Sequence, residues 1–222
     1  MIDDRSPHLV GSWRFDVAGP RLTGGPPNAA LARAIAALPP VAALLRAAEL
    51  LIIERASDRV AGRHLRIDLA AGAADPIAAA LHAVTSRWWA TPLCHVRFEG
   101  CGALLGPIAP RPTPGLVDLS ADDLGGHSSV SVYTRCDAWL PFDLNGRPQP
   151  VLSARNAPRL RAALAAVAHA LGTQGHALHS KFTRCDGYVV ANRLDACDEP
   201  VDIADWGYDA SWFVAPTPRR RC

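Results

Sequence analysis

The sequence predicts an α+β fold in which a mostly antiparallel sheet carries about three to four packed helices. Short segments that alternate apolar and polar residues, as half-buried strands do, are interleaved with segments of helical periodicity. Several strand candidates are joined by hairpin-like turns, which favours antiparallel pairing. The chain has 222 residues, of which 49% are hydrophobic. We therefore expect residues 1–222 to form a single globular domain.

The N-terminal part predicts one strand followed by helices. Residues 9–17 alternate between apolar and polar, which indicates a half-buried strand. Asn28 is a candidate N-cap for the next helix, and Pro39-Pro40 is expected to end it. Residues 41–49 form a second apolar segment. Residues 50–55 fit either a continuation of that helix or a strand, because periodicity does not separate the two.

The middle of the chain predicts two strands, a helix and a long loop. Residues 65–69 alternate as a strand does, and residues 93–98 read as another strand. Asp75-Pro76 combines a capping carboxylate with a proline at the first helical position, so a helix is expected to begin there. Residues 100–115 contain four prolines and four glycines. We expect this stretch to be a loop and a possible boundary between two lobes.

The C-terminal half predicts a strand, a long helix and a hairpin. Residues 129–134 form the strand, and a tight turn is expected at Asn145-Gly146. Asn156 is predicted to open the clearest helix of the chain, which Gly172 ends. Residues 181–192 are predicted to form a hairpin around an Asp-Gly turn.

Composition narrows the classes of function. The net charge is +2, and all but one of the basic residues are arginine. The first residues lack a secretory pattern, so we expect a cytoplasmic protein with reduced cysteines. Neither phosphate-loop glycines nor paired metal-ligand spacings occur in the sequence. We therefore expect no cofactor, no metal, no nucleic-acid partner and no membrane span.

Three carboxylates, Asp118, Asp122 and Asp123, lie close together in the sequence. Such a cluster can hold Mg²⁺ or Ca²⁺. The glycine and glutamate of a calcium loop are missing at the required spacing, so the favoured interpretation is that residues 120–123 cap a short helical turn.

Two other motifs suggest nucleophilic chemistry. Ser129 follows His127, but the glycines of a nucleophile elbow do not surround it. Cys94 precedes His95, and neighbouring residues on a strand point to opposite faces. We therefore expect that Cys94 and His95 do not form a catalytic pair with each other, and we assign no catalytic residue.

Residues 195–213 combine six carboxylates and four aromatic residues without a lysine or arginine. An acidic and aromatic surface suits a cationic protein partner, because carboxylates steer association and aromatic side chains supply affinity. The alternative is that the aromatic residues belong to the core and the acids are merely solvated. The candidate partner-binding residues are Asp202, Asp205, Trp206, Tyr208, Asp209 and Trp212.

A longer motif carries a family resemblance. It reads Asp-Ala-Trp-Leu-Pro-Phe-Asp-Leu-Asn-Gly-Arg-Pro-Gln-Pro over residues 137–150 and continues with Asn-Ala-Pro-Arg-Leu over residues 156–160. It resembles a segment of bacterial proteins that are similar to the immunity proteins of bacterial toxin systems. The resemblance implies a non-enzymatic protein that binds and neutralises a cognate toxin, which we expect to present a basic surface. A small hydrolase or transferase with a site of dispersed His, Asp and Cys residues is the alternative, and an adaptor module is a third. The sequence leaves monomer and homodimer open.

Overall fold

The computed structural model has an α+β fold, as predicted. It describes residues 10–22, 28–60, 63–68, 75–87, 93–178, 180 and 182–201. Within these residues lie four α-helices: α1 (Ala29–Ala36), α2 (Leu38–Ala47), α3 (Pro76–His82) and α4 (Pro150–Leu171). A π-helical segment over Ala83–Arg87 continues α3. The described strands are β1 (Gly11–Asp16), β2 (Ile52–Val60), β3 (Arg63–Asp68), β4 (His95–Leu105), β5 (Pro110–Pro114), β6 (Asp118–Asp123), β7 (Ser128–Thr134), β8 (His176–Leu178), β9 (Thr183–Asp186) and β10 (Val189–Asn192).

Eight of these strands form one antiparallel sheet in the order β3-β2-β4-β6-β7-β1-β8, with β5 paired to the second half of β4. β9 and β10 form a separate hairpin. Side chains alternate between the two faces of each strand. On one face of β6 and β7, apolar side chains pack beneath α1, and α4 packs beside α2 and β4. The other face of the central strands is polar.

Most predicted elements are confirmed. The structure has strands at β1, β3 and β7, a helix at Asp75-Pro76 and a hairpin at β9–β10, with Gly172 at the end of α4. Residues 50–55, which the sequence left open, lead into strand β2. The Asp75 carboxylate accepts hydrogen bonds from the backbone N–H groups of Ile77 and Ala78, both at 3.0 Å, which is the predicted cap.

The predicted role of Pro39-Pro40 is wrong. These prolines lie in the first turn of α2, where a missing N–H group costs no hydrogen bond, and the break between α1 and α2 falls at Ala37. Asn28 precedes α1 as predicted, but its side chain does not cap the helix. Its Oδ1 instead accepts a hydrogen bond of 2.8 Å from the backbone of Leu93.

The segment Ala29–Ala47 is long and apolar enough to cross a bilayer by length and composition alone. In the structure it is divided between α1 and α2. Both helices bury one face in the core, through Leu31, Ile35, Leu38, Val41 and Leu45. This buried face packs against the sheet and against α4, as the apolar stripe of a core helix does.

The prediction of a loop over residues 100–115 is wrong. These residues form the second half of β4, a turn and β5. Among the described strands β5 pairs only with β4, and proline is tolerated at such an edge. Gly100 allows close packing of β4 against β2, since a Cβ atom there would overlap the carbonyl oxygen of Ile52. Residues 100–115 are therefore part of the main sheet.

Two further predictions are wrong. Residues 120–123 lie in strand β6 and do not cap a helical turn. Asn156 does not open α4, which begins at Pro150. Asn156 is buried inside the helix, where its amide pairs with both the N–H and the C=O of Leu105, at 3.0 Å each. It thus connects α4 to the end of β4.

Candidate functional site

The six predicted partner-binding residues lie outside the described residues. They are Asp202, Asp205, Trp206, Tyr208, Asp209 and Trp212. The structure therefore does not test whether their side chains are exposed. The described beginning of the same segment, Asp195–Glu199, is exposed throughout and is called the acidic turn below.

The acidic turn has a defined shape. One carboxylate oxygen of Asp195 accepts hydrogen bonds from the N–H groups of Cys197 and Glu199, at 2.7 and 3.0 Å. The backbone of Asp195 also donates to the carbonyl of Glu199 at 2.9 Å. Asp198 adopts a left-handed conformation with φ of 61°, which aspartate tolerates better than most residues. One carboxylate thus organises the turn, and those of Asp198 and Glu199 face solvent.

An exposed apolar side chain adjoins the acidic turn. Leu194 is 49% exposed, and its backbone bridges to Pro200 on the other side of the turn. Protein interfaces typically combine an apolar centre with a polar rim. Here Leu194 provides an exposed apolar side chain, and Asp198 and Glu199 provide polar groups beside it.

The polar face of the sheet carries a second cluster, around Asp118 at the start of β6. Its side chain is fully buried, and one carboxylate oxygen contacts the guanidinium groups of Arg97 and Arg135, the latter at 3.1 Å. Glu99 lies 3.1 Å from Arg97, so two cations face two anions. The Arg97 guanidinium also stacks 4.9 Å from the centre of the Tyr133 ring. Burial acts against the Arg97 charge, but attraction to Tyr133 and Asp118 raises its pKa overall.

Asp122 occupies the same face near the other end of β6 and is 1% exposed. The Ser131 hydroxyl donates to its carboxylate at 2.8 Å, and the Ser120 hydroxyl lies 3.0 and 3.2 Å from its two oxygens. Burial raises the pKa of Asp122 to about 6, although both hydroxyls and the charge of Arg14 act to lower it. The pKa of this carboxyl group therefore lies above its ordinary value of 3.8.

Strand register aligns three residues from motifs that the sequence analysis considered for metal binding or nucleophilic chemistry. His95 on β4 and Ser129 on β7 both lie directly opposite Asp122. The Ser129 hydroxyl is buried and has no hydrogen-bond partner among the described residues. In a Ser-His-Asp triad, histidine lies between the serine and the carboxylate. Here the carboxylate stands in the middle, so the row is not a Ser-His-Asp triad.

The structure places Cys94 and His95 in contact, whereas the expectation that they form no catalytic pair stays a prediction. Cys94 lies just before β4, where strand alternation does not yet apply, and its Sγ is 4.0 Å from Nδ1 of His95. Cys94 is exposed and not in a disulfide bond. An exposed thiol and a half-buried imidazole nitrogen are therefore adjacent.

The residues of the longer motif stabilise its own loop. The Gln149 side chain donates to the carbonyls of Asp137 and Leu140, at 2.7 and 3.1 Å. Asp143 accepts two backbone hydrogen bonds across the Asn145-Gly146 turn. The Trp139 indole is buried and donates to Thr134 at 2.9 Å. The side-chain contacts of the motif are thus architectural.

An apolar groove lies between this loop and the β4–β5 turn. It has a volume of about 670 Å³ and is lined by residues 106–111 and 148–152. Ile108 at the turn is 99% exposed and Val151 on α4 is 54% exposed. Such a surface suits an apolar side chain of a protein partner. Among the described residues, no three His, Cys, Asp or Glu side chains are grouped as metal ligands.

Comparison with known proteins yields no match to a family model, a curated protein or a solved structure. The resemblance to immunity proteins thus remains an expectation from the sequence.

Proposed function

We propose that this chain is a cytoplasmic, non-enzymatic immunity protein that binds a cognate bacterial toxin domain and neutralises it. The observation that carries the proposal is the exposed acidic turn. It presents the carboxylates of Asp198 and Glu199 beside the exposed Leu194. The same acidic composition continues along the sequence through Asp202, Asp205 and Asp209.

The physical role of these charges is to accelerate association. A group of carboxylates attracts a basic partner surface over about 10 Å at moderate ionic strength. Once the surfaces meet, apolar and aromatic side chains supply most of the affinity, because charges at a rim remain solvated. We therefore assign steering to Asp198 and Glu199, and we propose Trp206 and Trp212 as anchors.

The first experiment is co-expression with candidate toxin domains, taken from genes beside the gene of this chain. Protection of the cells and co-purification of the two proteins are expected. If the chain neither protects nor co-purifies, the immunity proposal is wrong.

A second experiment tests the acidic turn. The double variant Asp198→Asn/Glu199→Gln removes two charges while keeping the size of both side chains. Association with the toxin is expected to slow severalfold at low salt and to depend less on salt. Asp16→Asn is the matched control, because Asp16 is exposed on β1, outside the acidic turn. A rate that is unchanged in the double variant would contradict steering by this turn.

A triple variant tests the partner-binding carboxylates that the sequence predicts. It combines Asp202→Asn, Asp205→Asn and Asp209→Asn. A further loss of association rate is expected. Trp206→Ala and Trp212→Ala are expected to accelerate dissociation instead, since anchors act after encounter. Unfolding of these tryptophan variants would favour the alternative that both side chains belong to the core.

The alternative, a small hydrolase or transferase, has one supporting observation. Asp122 has a raised pKa and lies between His95 and Ser129 on the polar face. Strongly shifted carboxyl groups occur at active sites, and also in structural networks. Asp122→Asn separates the two functions, because an immunity protein would keep its protective effect in this variant.

A further inference from the structure

Two apolar grooves lie beside α4. The first, of about 670 Å³, lies against the β4–β5 turn and exposes Ile108 and Val151. The second, of about 370 Å³, lies between α4 and the β9–β10 hairpin and exposes Val189. Three of the five large hydrophobic side chains that the described residues expose thus line these grooves. We call the two grooves, with the exposed part of α4, the α4 surface. Such a concentration of exposed apolar groups is typical of a protein interface.

The α4 surface is basic. Arg111 in the first groove and Arg161 in the second are exposed, and among the described residues no Asp or Glu lines either groove. The helix itself contains three arginines and no acidic residue. A basic and apolar surface suits an acidic partner that carries an apolar side chain. It does not suit the basic toxin surface, because like charges repel.

The acidic turn of the same chain has the complementary chemistry. It presents the carboxylates of Asp198 and Glu199 beside the exposed Leu194. Within one molecule the two charged patches stay apart, since no ion pair between described residues joins them. Their spacing is fixed, because β10 borders the second groove and the Asn192 side chain pairs with the backbone of Phe142 at 3.2 and 2.9 Å, just before the acidic turn. The charges of both patches are therefore available to another molecule.

We propose that two copies of this chain form a two-fold symmetric dimer in which the acidic turn of each copy docks on the α4 surface of the other. Leu194 supplies an apolar side chain to the grooves, and the carboxylates of Asp198 and Glu199 face the guanidinium groups of Arg111 and Arg161. Two-fold symmetry forms this contact twice. The dimer involves this chain alone and does not depend on the proposed toxin binding. A toxin that uses the acidic turn competes with the second copy.

Sedimentation equilibrium of the full-length protein, without toxin, measures dimerisation. Reducing conditions exclude dimers that are linked by a disulfide bond. Loading concentrations run from about 1 µM to 1 mM, the range expected for an interface of modest size. A reversible dimer is expected, with a Kd that rises as salt is added. A wild-type protein that stays monomeric over the whole range overturns the proposal, and this measurement needs no variant to fold.

A charge exchange tests which surfaces meet. Arg111→Glu/Arg161→Glu makes the α4 surface acidic, and Asp198→Asn/Glu199→Lys makes the acidic turn basic, with asparagine tolerating the left-handed backbone at position 198. Each variant alone is expected to dimerise at least about tenfold more weakly, since like charges then face each other in both contacts. An equimolar mixture is expected to recover dimerisation, because both contacts of the mixed dimer again join opposite charges. A mixture that associates no more tightly than the separate variants overturns the proposal.

An apolar substitution tests the grooves. Val151→Ser is expected to weaken dimerisation severalfold, because it removes apolar area that the second copy covers. Ile52→Ser is the matched control, since Ile52 is 51% exposed against 54% for Val151 and lines neither groove. A Kd that Val151→Ser leaves unchanged, or that the control raises equally, rules out the α4 surface as the dimer contact.

Discussion

Replacement of Asp122 by asparagine is expected to stabilise the protein at neutral pH. The folded state raises the pKa of Asp122 from 3.8 to about 6 because the side chain is buried. Below about pH 4 the carboxyl group is protonated in both states. Between about pH 4 and 6 the unfolded chain loses this proton while the folded protein keeps it, so stability falls as the pH rises. Above about pH 6 the penalty is constant.

The size of this penalty follows from the shift in pKa. A difference of about two units corresponds to about 3 kcal/mol, at about 1.4 kcal/mol per unit. Asparagine has nearly the shape of the protonated carboxyl group and keeps an oxygen to accept from Ser120 or Ser131. We therefore expect Asp122→Asn to gain up to about 3 kcal/mol at pH 7. For a chain of this length, that corresponds to a rise in Tm of roughly 6–12 °C.

Urea unfolding of both proteins between pH 4 and 8 measures the effect. The difference in free energy of unfolding is expected to be small at pH 4, to grow through pH 6 and then to stay level. Burial also raises the pKa of Asp137, but this contribution is present in both proteins and cancels in the difference. Asp16→Asn, at a 61% exposed side chain, should leave the pH profile unchanged. Parallel curves for wild type and Asp122→Asn over the whole range would refute the reasoning.

Three other substitutions test contacts that hold the fold. Asn156→Leu leaves the N–H and C=O groups of Leu105 without their partner and is expected to cost about 2–4 kcal/mol in urea unfolding. Gly100→Ala places a Cβ atom against a neighbouring backbone carbonyl and is expected to cost about 3 kcal/mol or more, measured in urea unfolding. Thr134→Val removes a hydroxyl that donates to one carbonyl and accepts from the Trp139 indole, with an expected loss of about 2–4 kcal/mol measured in urea.

Each substitution has a matched control. Arg161→Leu introduces leucine at an exposed position of α4 and should change stability little. Gly187→Ala meets no atom within 4 Å and should cost only the strain of its φ of +54°, about 1 kcal/mol. Thr173→Val removes an exposed hydroxyl and should be nearly neutral. A control that costs as much as its test variant would show that the specific contact is not the cause.

The sequence predicted elements whose signal is local. The Asp75 cap, the end of α4 at Gly172 and the alternation of β1 depend on neighbouring residues, and the structure has all three. The prolines of residues 100–115 were misleading. Their local effect is to exclude helices and central strands, whereas β5 is an edge strand in which a missing N–H group is tolerated.

The buried polar residues could not be interpreted without the fold. The Asn156 side chain can cap a helix or pair with a distant backbone, and the sequence does not show which partner is in reach. For Asp118–Asp123 the alternation of polar and apolar residues was itself a strand signal, since Asp118, Ser120 and Asp122 share one face. The interpretation of residues 120–123 as a helix cap gave more weight to the types of residue than to their alternation between polar and apolar.

Strand order explains why the row on the polar face was not predicted. His95, Asp122 and Ser129 lie in three separate sequence motifs, each of which alone is incomplete. They meet because β6 lies between β4 and β7 and because the register aligns one residue of each strand. A shift of one residue in either ladder would turn the aligned side chain to the apolar face. The chemistry available on this face therefore depends on the strand register. The alternation of apolar and polar residues in β6 and β7 shows which face is buried, but the register is known only once the strands are paired.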